Sequence, residues 1–254
     1  MSTKLKIAAA VAAAVLLSAC SSPKHEPMPL VNFTPSMEVT EVWSKGLSSA
    51  EGFLVPAVYD DMVFAAGGKT LTRLNARTGE TEWSVSFDSP ITGGVGSDGY
   101  VTAVGLWDGN LEVVDAEGKV SWEKKLTTEL ASPPVVSHGL VIARTMDTRV
   151  SAFEASSGEL QWTYQKSQPA LTVRLPTRML AHDNFLLVGQ PNGHIVILDI
   201  ASGKPVFEFQ VAQAKGVTEV ERLVDVVGAP AFSENLVCAA AFQGAVTCVD
   251  STNG

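Results

Sequence analysis

The stretch LTRLNARTGETEW, residues 71–83, decides the fold because it returns along the chain. It reappears as LEVVDAEGKVSW ending at Trp122, as VSAFEASSGELQW ending at Trp162 and as IVILDIASGKPVF ending at Phe207. Each copy sets a glycine four residues ahead of a large ring: Gly79 and Trp83, Gly118 and Trp122, Gly158 and Trp162, Gly203 and Phe207. A fifth copy, AVTCVDSTNG, reaches its glycine at position 254. The glycine spacings of 39, 40, 45 and 51 residues are close to the unit length of a four-stranded propeller blade.

Within each unit the segments are short, β-branched and alternating, with no helical period sustained over about ten residues. In the first unit FLVPAVY reads as strand A, MVFAAG as B, KTLTRLNA as C and ETEWSVSF as D. Turns fall at Asp60-Asp61, Gly67-Gly68 and Thr78-Gly79, and later units repeat them at Asp108-Gly109, Asn192-Gly193 and Gln243-Gly244. Tight hairpins need positive φ, which Gly and Asn adopt at least steric cost. The sequence therefore predicts an all-β chain of four-stranded antiparallel blades. One such sheet cannot bury both faces alone, so the rings Trp43, Trp83, Trp122, Trp162 and Phe207 are expected to dock on neighbouring blades. Trp43 sits in EVWSKGL, which looks like a strand D without A, B and C before it. An orphan outer strand of this kind completes a blade whose other strands lie near the C-terminus. About four and three-quarter blades are thus expected over residues 40–254.

The N-terminus reads differently. Lys4 and Lys6 precede an apolar run from Ile7 to Leu17, too short to span a bilayer as a mature helix, and LLSAC follows. Residues 1–19 are expected to be an export signal. The L-S-A-C end resembles the lipobox of bacterial lipoproteins, which implies acylation of Cys20 and anchorage at a bilayer surface. Ser21 after it points, by the sorting rule of such proteins, to the outer membrane. Residues 20–39, with Pro23, Pro27, Pro29 and Pro35, read as a flexible tether. Loss of the signal's two lysines takes the formal charge from −9 to −11. Such a surface repels phosphates, so no nucleic-acid partner is expected. Cys238 and Cys248 are the other two thiols. A two-residue turn at Gln243-Gly244 would place residue 239 opposite 248 and turn Cys238 to the other face, arguing against a disulfide.

The L-x-x-x-D/N-A-x-x-G-x-x-x-W phrase resembles the repeat of pyrroloquinoline-quinone dehydrogenases. With the lipobox and the Pro-rich tether, the whole chain resembles the BamB family, lipoproteins of the outer-membrane β-barrel assembly machinery. That resemblance implies an eight-bladed propeller, with a C-terminal part of the ring missing from this chain. It also implies a non-enzymatic scaffold on the periplasmic face of the outer membrane. Its partners would be the periplasmic POTRA domains of BamA, the Bam complex and unfolded outer-membrane proteins.

Unit lengths grow only in the connections from D to the next A. From Trp122 to His138 is 16 residues, from Trp162 to His182 is 20, and from Phe207 to Ser233 is 26. Two successive blades therefore project insertions from one face. QKSQPALTVRLP carries Leu171, Val173 and Arg174; AQAKGVTEVERLVDVVGAP carries Glu219, Glu221, Arg222 and Asp225 among Val217, Val220, Leu223 and Val226. The second is expected to form a short amphipathic helical turn. In the resembling family the matching loops bind BamA through an L-x-L-R pattern and a pair of acids. Here Val173 replaces one Leu, Asp225 matches the first acid and Val227 occupies the second. The expected partner-binding set is Leu171, Val173, Arg174, Glu221, Arg222 and Asp225. The alternative is that these apolar groups pack on their own blade while Arg174 pairs with Glu221 or Asp225.

Catalysis is the rival function. A quinone site needs a Ca²⁺ cage of oxygens and cationic partners for the cofactor, and no acidic cluster with ligand spacing is visible. His25, His138, His182 and His194 lack zinc spacing, no G-x-S-x-G elbow exists, and TGGVGSDG precedes no helix. Neither an enzyme nor a cofactor is expected. A third class, peptide binding by strand addition to a blade edge, stays compatible with the scaffold.

Overall fold

The computed structural model describes residues 31–254 except 33, 49–53 and 168. The expected signal, Cys20 and most of the tether lie outside the described residues. The chain divides into two compact units, Met1–Thr40 and Glu41–Gly254. The described part of the first carries no strand or helix.

The second unit is a β-propeller of successive antiparallel meanders. The first sheet contains β1 (Ala57–Tyr59), β2 (Met62–Gly67), β3 (Thr70–Asn75) and β4 (Thr81–Ser86). The second contains β5 (Ile91–Ser97), β6 (Thr102–Leu106), β7 (Asn110–Val114) and β8 (Val120–Lys125). The third contains β9 (Val135–Ser137), β10 (Leu140–Arg144), β11 (Val150–Glu154) and β12 (Leu160–Tyr164). In the fourth are β13 (Leu180–His182), β14 (Phe185–Gly189), β15 (His194–Asp199) and β16 (Pro205–Gln210). A fifth sheet has three strands, β17 (Val226–Ser233), β18 (Leu236–Ala241) and β19 (Val246–Asp250). The hairpins close where the sequence puts turn residues: φ is +48° at Asp60, +55° at His138 and +47° at Asp183 between first and second strands. Between second and third it is +82° at Gly109 and +67° at Asn192.

The repeated glycine and ring meet across blades. The Nε1–H of Trp43 donates to the Ala76 carbonyl at 2.9 Å, Trp83 to Ala116 at 2.9 Å, Trp122 to Ala155 at 2.8 Å and Trp162 to Ile200 at 2.8 Å. Each indole lies on the glycine that closes the next unit's last hairpin. A Cβ added at Gly79, Gly118, Gly158 or Gly203 would stand 2.6, 2.7, 2.8 or 2.4 Å from the ring. These glycines also hold φ between +67° and +81°, so two constraints exclude a side chain there. Beside each ring the ladder carries a bulge, after Arg73, Val113, Ala152 and Ile197, the residues paired with Trp83, Trp122, Trp162 and Phe207. Residues 41–48 form no strand, in contrast to the orphan outer strand read from EVWSKGL, although Trp43 docks as its counterparts do. Phe207 has no N–H to donate; it is 47% exposed, lies 3.9 Å from the Cβ site of Gly254 and borders a cavity of about 550 Å³ between the fourth and fifth sheets.

Between sheets the alternate residues interdigitate. Phe64, Leu71, Ile91, Val95 and Val104 fill the first interface, and Ile142, Val150, Trp162, Leu186 and Val196 the third. Fully burying each such side chain stabilises by about 1.5–3 kcal/mol.

One position after the ring, cross-strand pairs point to the opposite face. Thr72 and Ser84 share a hydroxyl bond at 3.1 Å, and Ser151 and Thr163 one at 3.4 Å. The second sheet sets two carboxyls there, Glu112 opposite Glu123. Burial pushes Glu112 up to about 7, helped by the charge of Glu123, by the hydrogen bond between the two carboxyls and by Asp108 and Asp88.

The last hairpin corrects the cysteine expectation. Ala241 N–H bonds the Ala245 carbonyl at 3.1 Å, leaving a three-residue loop with Gln243 at φ +50°. One extra loop residue slips the register by one. Cys238 then faces Cys248 directly, with Cα atoms 4.0 Å apart and a disulfide between them.

Candidate functional site: two long connections joined by a buried Asp

The two long connections, from β12 to β13 and from β16 to β17, run side by side. Thr177 and Gly228 form a parallel bridge. Arg178 N–H donates to the Gly228 carbonyl and Gly228 N–H to the Pro176 carbonyl, both at 2.9 Å. Asp225 completes the junction. It is 6% exposed; Oδ2 accepts the Val173 N–H at 2.5 Å and Oδ1 the Asn192 N–H at 3.3 Å. One carboxylate thus fixes the first connection and the β14–β15 turn to the second connection. Its own carbonyl accepts from Phe242 N–H at 2.9 Å.

Beneath the junction lies Arg144, the last residue of β10, 4% exposed. Its Nη1 donates to Thr177 Oγ1 at 3.2 Å. Burial lowers its pKa to about 10, against the pull of the Asp225 charge, and it stays cationic at neutral pH.

The second connection forms a single hydrogen-bonded turn at residues 219–222 where the sequence suggested a helical turn, and no helix is assigned there. Arg222 N–H reaches the Thr218 carbonyl at 3.2 Å. Thr218 and Glu221 form a capping box: Glu221 N–H donates to Thr218 Oγ1 at 3.3 Å, and Glu221 Oε2 accepts from Thr218 and Val217 N–H at 3.0 and 2.9 Å. Those backbone N–H bonds, Thr218's first, hold the Glu221 carboxyl below its usual range.

The six residues expected to meet a partner divide into two groups. Leu171, Arg174, Glu221 and Arg222 are exposed; Val173 is half-buried and Asp225 interior. Leu171 and Leu175 are each 41% exposed, Val220 60% and Val217 95%, so apolar area on both connections faces outward. Among the described residues Arg174 forms no ion pair, so its expected alternative partners, Glu221 and Asp225, are both spent on backbone amides. Sequence reasoning missed Arg144, Thr177 and Asn192. The available signal was an arginine closing the apolar run LVIAR, where alternation leaves no room for an unpartnered charge.

The family model described as outer membrane protein assembly factor BamB matches residues 67–254. The outer membrane protein assembly factor BamB of Burkholderia pseudomallei (strain K96243) is 38% identical over 252 residues, covering 97% of this chain and 66% of the relative. The crystal structure of BamB from Moraxella catarrhalis superposes with a TM-score of 0.72 at 28% identity, over 79% of this chain and 62% of that one. The quinohemoprotein alcohol dehydrogenase of Comamonas testosteroni shares the fold at a TM-score of 0.62 and 18% identity, over 82% of this chain and 42% of that one. The chain spans less than two thirds of the length of its assembly-factor relative. The matched residues run from β2 through all the later blades and both long connections, and on that match the chain belongs to the BamB family of outer membrane protein assembly factors.

Proposed function

We propose that this protein is a non-enzymatic scaffold of the outer-membrane β-barrel assembly complex, held by an acylated Cys20 at the periplasmic face of the outer membrane. Its two joined connections bind the periplasmic POTRA domains of BamA and so support delivery and insertion of outer-membrane proteins. One observation carries this reading: neighbouring connections, bonded to each other through Asp225 and with the first also bridged from Thr177 to Gly228 of β17, present exposed Leu171, Leu175, Val217 and Val220 beside Arg174 and Arg222. Apolar side chains beside charged ones on a surface tied down by hydrogen bonds suit a protein partner, since less ordering entropy remains to be lost on docking. The relatives' name as assembly factors supports the scaffold over a quinone-dependent dehydrogenase, whose likeness is confined to the fold.

The test replaces two exposed groups, Leu171→Asp with Arg174→Glu, and measures recovery of BamA with the tagged protein from solubilised membranes. Recovery is expected to fall at least about tenfold, the loss of one central contact being worth 1–2 kcal/mol or more. Unchanged recovery from a folded double variant would refute the site.

A further inference from the structure

Under the first connection lies a cavity of about 160 Å³ whose wall includes Arg144, Thr145, Val173, Arg174, Leu175 and Thr177. It is smaller than the roughly 300 Å³ at which small-molecule sites begin, and its scale is that of one side chain. Arg144 is the feature that calls for a ligand. It is more than nine-tenths buried; among the described residues only Thr177 Oγ1 answers its Nη1, and its Nε has no acceptor. Asp225, the acid whose charge acts on it, has both oxygens committed to the Val173 and Asn192 amides. A buried guanidinium left short of acceptors is destabilising, and an acceptor from elsewhere relieves it.

Most of the surroundings donate; the one carboxylate in the wall, Asp225, already has both oxygens held by the Val173 and Asn192 amides. Ser132 Oγ and Gln190 Nε2 are also buried without partners among the described residues, and each adjoins in sequence a residue of the cavity wall, Ala131 and Pro191. All three unanswered groups can donate. Arg174 adds a second cation at the exposed side. A guanidinium's fork of donors matches a carboxylate, and the apolar Val173 and Leu175 suit an acid carried on a protein chain.

We propose that this cavity receives a carboxylate of the docking protein, with Arg144 as its buried partner and Arg174 as its outer one. The proposal rests on the docking reading above, and its experiment is arranged to fail separately. The full chain is titrated with N-acetyl-glutamate methylamide, N-acetyl-glutamine methylamide and N-acetyl-alanine, following the backbone amide resonances of Val173, Arg174 and Thr177. The capped glutamate is expected to move these resonances and the glutamine isostere not to. Arg144→Gln should weaken the response about tenfold, as a lost charge-assisted pair implies, and Arg144→Lys should recover part of it. Arg174→Gln, at an exposed position, should weaken it in a chain whose fold is unaltered. A response to N-acetyl-alanine in place of the glutamate would assign the cavity to a chain terminus rather than an acidic side chain. Equal responses to glutamate and glutamine, or none to any of the three probes, overturn the proposal. If BamA recovery falls in the loop double variant while the probes do nothing, docking stands and the cavity does not. If the probes bind while BamA recovery is unchanged, the cavity takes a carboxylate but the docking reading fails, and with it the assignment of that carboxylate to the docking protein.

Discussion

Replacing Glu112 by Gln should make this protein more stable at mildly alkaline pH and leave it unchanged in mild acid. Glu112 is 8% exposed, opposite Glu123 on the face away from the docked ring, with Asp108 and Asp88 adding negative charge. Its folded-state pKa is raised from 4.5 to about 7. A raised carboxyl pKa means that the folded chain holds this proton more tightly than the unfolded chain does. Stability contributed by the protonated form is therefore complete below about pH 4.5 and is lost as pH rises to about 7. The full shift corresponds to about 3 kcal/mol, and screening by solvent around the neighbouring carboxyls brings the expected loss to about 1–2 kcal/mol. Gln keeps the volume and can donate to Glu123 at every pH. Urea unfolding midpoints of both proteins, measured from about pH 5 to about pH 8, should coincide at the acid end and separate progressively above it, with the variant higher. Parallel curves over that range would refute the reasoning, since groups common to both chains cancel in the comparison.

Trp162→Ala should cost about 3–5 kcal/mol, because its ring is 8% exposed and its N–H is bonded to Ile200; Phe207→Ala, at 47% exposure, should cost about 1–2 kcal/mol. Equal costs in urea unfolding would show that burial does not grade what the rings contribute. Removing the disulfide with the C238S/C248S pair should cost about 3 kcal/mol, the chain-entropy value for cysteines separated by 10 residues. Reductant should destabilise the parent protein and not the pair variant; a parent indifferent to reductant would show that the bond contributes nothing.

Much of this fold can be read from the chain because its turns and plugs are chemically narrow. Positive φ at Gly79, Gly118, Gly158 and Gly203, together with an indole pressed on each, leaves glycine as the workable residue and makes the period visible. The last hairpin was misread because Gln243 and Gly244 suit a two-residue turn as well as a three-residue one, and a single residue decides whether Cys238 meets Cys248. Residues 41–48 look like a strand D because of Trp43, yet they form no ladder, since the docking of one ring does not require a hydrogen-bonding neighbour. The candidate site was half legible. Loop length marked both connections, yet Asp225 reads from composition as an outward acid, and only the fold shows it turned inward to the Val173 and Asn192 amides. Arg144 lies far from the connections in sequence, and nothing local announces that Thr177 will sit 3.2 Å from it.

The indole bonds run in one direction: Trp43 to Ala76, Trp83 to Ala116, Trp122 to Ala155, Trp162 to Ile200. Every receptor carbonyl lies later in the chain than its donor. A polypeptide emerging N-terminus first thus always has the key made before the lock arrives. Each newly threaded blade can be captured on appearance, and no earlier blade waits on this contact for a later one to supply its tryptophan.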